Sequence, residues 1–218
     1  MKQLLRSLSF FVVGFVGFVV LSLSSCAQAQ GVYKVNLTAP KGKAVAAFAE
    51  GCFWCSPHIF DAVPGIDSAV AGYAGGHTVN PTYKDVCTEA TGHAETVLVY
   101  YDPKLVSYDE LLDVFFTSHD PTTADQQGPD RGSSYRSVIF YQTTAEKVMA
   151  NNAITKYSKS GMFKKPIVTE VTALTAFYRA EEYHQKFVVK NPDNGYIQGV
   201  SLPRFERFKK TYKGKLNN

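Results

Sequence analysis

The sequence predicts an α+β fold, a two-layer α/β sandwich with long loops at the functional end. Three observations lead there. Strand-like and helix-like runs alternate along the chain, which excludes an all-α or all-β protein. Two helical runs open with capping boxes, Ser107-Tyr108-Asp109-Glu110 and Thr143-Thr144-Ala145-Glu146. Several β-rich runs follow one another with no helix-length segment between them, which argues against a doubly wound parallel sheet.

Taken in order, Val45–Ala49 is a small apolar run that reads as a buried strand, and Gly51 is the expected turn from it into a helix through Pro57–Phe60. Val63-Pro64-Gly65 ends that helix, and Ser68–Tyr73 reads as a strand closed by Gly75-Gly76. Ala94–Tyr101 (AETVLVYY) is a strand stopped by Asp102-Pro103. The first capping box opens an amphipathic helix (LLDVFF); Ser137–Gln142 is a strand, and the second box opens a helix to about Ser158. Ile167–Leu174 alternates as a strand does, Tyr178–Val189 reads as a helix, and Arg204–Lys215 is a basic, aromatic tail. Residues 117–136 have little periodicity, and a loop of that length inside a domain is usually functional.

Composition bounds the function. The 218 residues carry 23 Lys plus Arg against 19 Asp plus Glu, and are 45% apolar, so disorder and fibrous repeats are excluded. The first 29 residues hold Lys2 and Arg6 but no acid; without them the count is 21 against 19, too even for a nucleic-acid footprint. Those residues read as an export signal: a positive start, then an apolar core Phe10–Leu23 too short to span a bilayer as a stable helix. Ala27-Gln28-Ala29 offers one cleavage site. Leu23-Ser24-Ser25-Cys26 offers another, a lipobox in which Cys26 would be lipidated. Either places the protein in the bacterial cell envelope, as a membrane-anchored lipoprotein or a periplasmic protein. Residues 30–42 read as a polar tether, and 43–218 as the catalytic domain.

Cys52 and Cys55 form a C-x-x-C pair where a strand gives way to a helix. A helix N-terminus favours thiolate over thiol, and residues three apart on a helix lie about 5 Å apart, within reach of a disulfide. A structural disulfide and half of a zinc site, completed by His58 and Cys87, are the alternatives; the ligand spacing is poor for zinc. Phe53 and Trp54, the one tryptophan, are either core or the wall of an apolar pocket. Glu95 starts a strand with almost no other charge. It is either a solvated strand-start acid or a buried one with a raised pKa, able to donate a proton. Tyr83 and Tyr135 sit in polar stretches, Asp130-Arg131 could pair across a loop, and Cys87 reads as a small buried hydrophobe.

Together these pieces resemble a family. Gly51-Cys52-Phe53-Trp54, Gly72-Tyr73-Ala74-Gly75-Gly76, Asn80-Pro81-Thr82-Tyr83, Gly92-His93-Ala94-Glu95, His119-Asp120-Pro121-Thr122, Asp130-Arg131-Gly132, Tyr135-Arg136-Ser137 and Glu181-Glu182-Tyr183-His184-Gln185 occur in the order found in peptide methionine sulfoxide reductases of the A type. The resemblance runs from about Val45 to His184 and on into the tail. It implies a ferredoxin-like sandwich and reduction of the S epimer of methionine sulfoxide, free or in proteins. It implies Cys52 as nucleophile, Phe53 and Trp54 as the pocket for the substrate methyl group, and Glu95, Tyr83 and Tyr135 around the sulfoxide oxygen. Asp130 would order the site from behind. No metal or organic cofactor is implied; a thioredoxin-like thiol donor is the reductant. Many members have Gly after GCFW and resolving cysteines near the C-terminus. Here Cys55 stands in that place and no cysteine follows Cys87, which makes Cys55 the resolving thiol. Two rivals remain on the sequence alone: a C-x-x-C disulfide oxidoreductase or isomerase for exported proteins, and a lipoprotein binding module stapled by Cys52–Cys55.

Overall fold

The structure, a computed structural model, describes residues 31–217; the expected export signal and Cys26 lie outside the described residues. In chain order the elements are β1 (Tyr33–Lys34), β2 (Ala44–Glu50), α1 (Cys55–Asp61), β3 (Ile66–Ala74), α2 (Tyr83–Val86), β4 (Ala94–Tyr101), α3 (Tyr108–Ser118), β5 (Gln126–Gln127), β6 (Asp130–Arg131) and β7 (Ser137–Tyr141). Then come α4 (Thr144–Lys159), β8 (Glu170–Ala173), β9 (Phe177–Arg179), α5 (Phe187–Lys190) and α6 (Leu202–Thr211). One seven-stranded sheet has the order β1-β9-β3-β4-β2-β7-β8; β5 and β6 form a separate ribbon. At its centre, β2-α1-β3-β4-α3-β7 is a βαββαβ unit with antiparallel neighbours β3-β4-β2-β7, the ferredoxin-like arrangement. Strand β8 is added parallel to β7 after the crossover helix α4.

The elements form where local chemistry specifies them. Both capping boxes are made: Ser107 accepts from the Glu110 N–H and Thr143 from the Glu146 N–H, while each glutamate reaches back to its cap. Helix α4 runs to Lys159, one residue past the expected end. Strand β2 is nearly all small and apolar because both its faces are covered. Ala46 and Phe48 point into the helical layer, where Phe48 stacks on Phe60 with ring centres 5.3 Å apart and also meets Phe115 at 5.5 Å. Val45, Ala47 and Ala49 point the other way, onto Leu98, Val138, Phe140 and Phe177.

Two sequence readings need correction here. Part of the expected tether belongs to the domain: β1 pairs with β9, the Val35 N–H donates to the Phe177 carbonyl at 2.9 Å, and Val35, Leu37 and Ala39 pack on the sheet face opposite the helices. That face needs an apolar cover, and the helices all lie on the other side. The helix expected over Tyr178–Val189 is instead the end of β9, a 3₁₀ turn at Glu182–His184 and the four-residue α5. Its apolar residues are used by the sheet edge. Gln185 then clamps β3 with its side-chain amide, accepting from the Ala71 N–H at 3.1 Å and donating to the Ala71 carbonyl at 2.9 Å.

The β3–β9 pairing carries this segment to the site, and it requires Gly72. A β-carbon there would overlap the Tyr178 carbonyl oxygen and the Phe177 ring, both of which are fixed in the sheet edge. Gly72→Ala is therefore expected to destabilise the fold by about 1–3 kcal/mol, measured as a lower denaturant midpoint with an unchanged slope; an unaltered midpoint would show that β9 can shift freely.

Candidate active site

The strand parity of β2 and β4 sets the site. Val97, Val99 and Tyr101 of β4 face the helical layer, and so does Glu95, at the end of the same face. On β2, Glu50 follows Ala46 and Phe48 on that face. Two carboxyls therefore enter the interior at the same end of adjacent central strands. Immediately after Glu50 the chain turns at Gly51, with φ of +84°; a β-carbon there would overlap the side chain of Gln127. The turn sends Cys52, Phe53 and Trp54 across the strand ends before α1 begins.

Helix α1 starts at Cys55, not at Cys52, so the expected helix-terminal activation does not reach Cys52 directly. Cys52 is 7% exposed, and burial pushes its thiol pKa well up. The Tyr196 hydroxyl, which lines the same cavity, works against burial. Cys55 moves the opposite way: its hydrogen bond with Cys52 lowers its pKa, and Arg204 and Ser201 lower it further. Cys55 is thus the more acidic of the two. Both cysteines are free thiols, so this is the reduced form of the pair.

Glu95 is 3% exposed and accepts one hydrogen bond, from the Phe53 N–H to Oε2 at 2.9 Å. Burial outweighs that N–H and raises the pKa to about 8. The solvated alternative for Glu95 is thereby overturned. Burial also raises the pKa of Tyr83 and Tyr135, so both hydroxyls hold their protons. Cys52, Phe53, Trp54, Tyr83, Glu95, Asp130 and Tyr135 all line one open cavity of about 210 Å³, together with Tyr196. The structure brings together every site residue expected within the described residues, with Cys55 just behind Cys52. Phe53 is buried among Tyr73, Val86 and Tyr178, while Trp54 stacks on Phe187 with ring centres 3.9 Å apart. The Trp54 indole N–H donates to His184 Nδ1 at 2.9 Å, and burial lowers the His184 pKa to about 4, so that nitrogen stays an acceptor.

Two local expectations do not hold. Asp130 does not pair with Arg131: its Oδ2 accepts from the Tyr196 hydroxyl, while Arg131 donates to Gln126 at 2.8 Å. Cys87 is exposed rather than buried, because it caps the four-residue α2 on the surface. His58 packs against Phe205, and among the described residues no three His, Cys, Asp or Glu side chains converge as a metal site would need.

The sequence reading missed five residues around this centre. Glu50 is fully buried and its Oε1 accepts from Arg204 at 2.9 Å; Ser118 donates to Oε2 at 2.6 Å. Tyr196 reaches Asp130, in the cavity that Cys52 lines, and the Ser201 hydroxyl lies 3.0 Å from Cys55 Sγ. Only Glu50 left a signal: an acid at an inward-facing position of β2 must find a buried partner.

Comparison with known proteins agrees with this geometry. A sequence model described as peptide methionine sulfoxide reductase matches residues 44–216. The peptide methionine sulfoxide reductase MsrA of Natronomonas pharaonis is 43% identical over 175 residues, covering 80% of this chain and 98% of the relative. That of Bacillus subtilis is 49% identical over 150 residues, covering 69% and 85%. Among solved structures, reduced Mxr1 from Saccharomyces cerevisiae superposes with a TM-score of 0.66 at 35% identity, over 71% of this chain and 89% of that one. Methionine sulfoxide reductase A of Corynebacterium diphtheriae gives 0.63 at 34% identity, over 71% and 78%. The chain belongs to the peptide methionine sulfoxide reductase family and is an A-type, thiol-dependent oxidoreductase.

Proposed function

We propose that the enzyme reduces the S epimer of methionine sulfoxide, free or in exported proteins, through Cys52 and Cys55. The observation that carries this reading is a buried thiol and a buried protonated carboxyl facing one apolar-walled cavity. The substrate methyl group rests against Phe53 and Trp54, and the sulfoxide oxygen turns toward Glu95, Tyr83 and Tyr135. Cys52 attacks the sulfoxide sulfur as a thiolate, its proton passing to the Cys55 thiolate. Glu95 delivers a proton to the oxygen as the S–O bond weakens. Methionine leaves and Cys52 is left as a sulfenic acid, two electrons having passed from the cysteine to the substrate. Cys55 then condenses with it to a disulfide and water leaves. A thioredoxin-like dithiol resets the pair. The export signal and the Leu-Ser-Ser-Cys run support a lipid anchor on Cys26, holding this chemistry at the cell envelope.

The direct test is methionine release in a single turnover from each sulfoxide epimer. Release from the S epimer alone is expected, with Glu95→Gln slower by roughly 10²–10⁴-fold. The wild-type rate should hold between about pH 6 and about pH 8: above that range Glu95 loses the proton it delivers, and below it Cys55 is protonated and cannot take the proton of Cys52. A Glu95→Gln loss under about threefold would move the proton to solvent.

Cys55→Ser is expected to release one equivalent of methionine and then stall with a thioredoxin as donor. Sustained turnover would assign resolution to another thiol. For the anchor, the intact mass of the mature protein should show a lipidated N-terminal Cys26; a mature chain starting at Gln30 would contradict it.

A further inference from the structure

Tyr196, Ser201 and Arg204 all reach the cysteine pair from one short stretch, and that stretch is not a plain α-helix. Ile197–Ser201 forms a π-helical turn that runs straight into α6. On an α-helix, residues five apart diverge by about 140°. In a π turn the hydrogen bond closes five residues on, so such residues sit nearly one above the other. Tyr196 and Ser201 are five apart. The wide turn carries the Tyr196 hydroxyl to Asp130, in the cavity that Cys52 lines, and the Ser201 hydroxyl to Cys55 Sγ at 3.0 Å. Ser201 is 2% exposed, and among the described residues Cys55 is its one hydrogen-bond partner.

We propose that Ser201 is a positioning residue for regeneration, holding Cys55 Sγ toward Cys52 and donating to that sulfur as it attacks the Cys52 sulfenic acid. The proposal rests on the reading of Cys55 as the resolving thiol. In that step the Cys55 thiolate forms the S–S bond and the S–O bond of the sulfenic acid breaks. The departing hydroxide takes up the proton Cys55 gave up and leaves as water. Cys55 sulfur is oxidised and the sulfenic sulfur reduced, so no outside oxidant enters.

The groups facing Cys55 are Cys52, Arg204, Ser201, Asp130, Glu50, Glu95 and Tyr196. Arg204 favours the anion; Asp130 and Glu50 oppose it. In the reduced enzyme the Cys52 thiol supplies the leading hydrogen bond to Cys55. Once Cys52 carries the oxygen, that thiol donor is gone, while the Ser201 hydroxyl, 3.0 Å from Cys55 Sγ, stays in place to donate to the attacking sulfur.

The experiment compares wild type, Ser201→Ala and Ser201→Thr in a single turnover with methionine sulfoxide and no donor. Methionine release and disulfide formation are followed separately, the latter by loss of sulfenic acid that dimedone can trap. Ser201→Ala should release methionine within about twofold of wild type but form the disulfide roughly tenfold more slowly. The pH midpoint of the disulfide step should rise in Ser201→Ala, and Ser201→Thr, which keeps the hydroxyl, should restore most of the rate. The methionine burst shows that each variant is folded. Disulfide formation at the wild-type rate in Ser201→Ala, or equal slowing in both variants, would overturn the role of the hydroxyl. A Cys55→Ser variant, assayed separately with a thioredoxin as donor, separates the two readings: continued turnover there removes Cys55 as resolver and Ser201 with it, whereas a stall there beside an unslowed Ser201→Ala in the single turnover removes Ser201 alone.

Discussion

The N–H of Phe53 donates to the carboxyl of Glu95, and this bond ties the cysteine loop to the central strand of the sheet. It joins the residue next to Cys52 to an acid 42 positions away in sequence. Because β4 lies between β2 and β3, the end of its inner face stays dry, and Glu95 has that N–H as its hydrogen-bond donor. Desolvation then exceeds the one favourable contact, and the carboxyl keeps its proton to about pH 8. Glu50, one strand over on the same face, receives different treatment. Burial works against its charge too, but Arg204 and Ser118 meet it directly. One acid keeps its proton while its neighbour anchors a buried cation behind the sulfurs. Removing either partner of the Glu50–Arg204 pair would leave a buried charge alone, a change of several kcal/mol in most proteins.

The aromatic wall depends on a similar division. Trp54 is fixed by the acceptor nitrogen of His184 and by the face of Phe187, and both arrive on the irregular segment after β9. His184 serves only while unprotonated, and its burial ensures that across the physiological range. Glu181, on the same segment, accepts from the Tyr73 hydroxyl and the Tyr83 N–H, which holds the tyrosine side of the cavity in place. The late part of the chain thus assembles the pocket, while the early part supplies its reactive groups.

That division explains what the sequence made legible. Strand β4, the helices after Ser107 and Thr143 and the Gly51 turn are specified by neighbours a few residues away, and local patterns display such features. The family motifs brought Cys52, Glu95, Tyr83, Tyr135 and Asp130 into view as a set. Tyr196, Ser201 and Arg204 stayed hidden because each contact spans a large sequence distance and none carries a periodic signature; Arg204 looked like one more basic residue in a polar tail. The helix expected over Tyr178–Val189 failed for a related reason. A three-residue strand and a glutamine amide standing in for backbone partners leave no repeating pattern to read. The two-residue β1 is equally silent, and its place in the sheet is set by the exposed edge of β9.

The account turns on the charge of one buried carboxyl in the reduced enzyme. A ¹³C NMR titration of the Glu95 side-chain carboxyl, assigned by its loss in Glu95→Gln, reads that charge directly. The account predicts a protonated carboxyl at neutral pH with a midpoint near 8. A midpoint in the ordinary carboxylate range, at about 4–5, would contradict it.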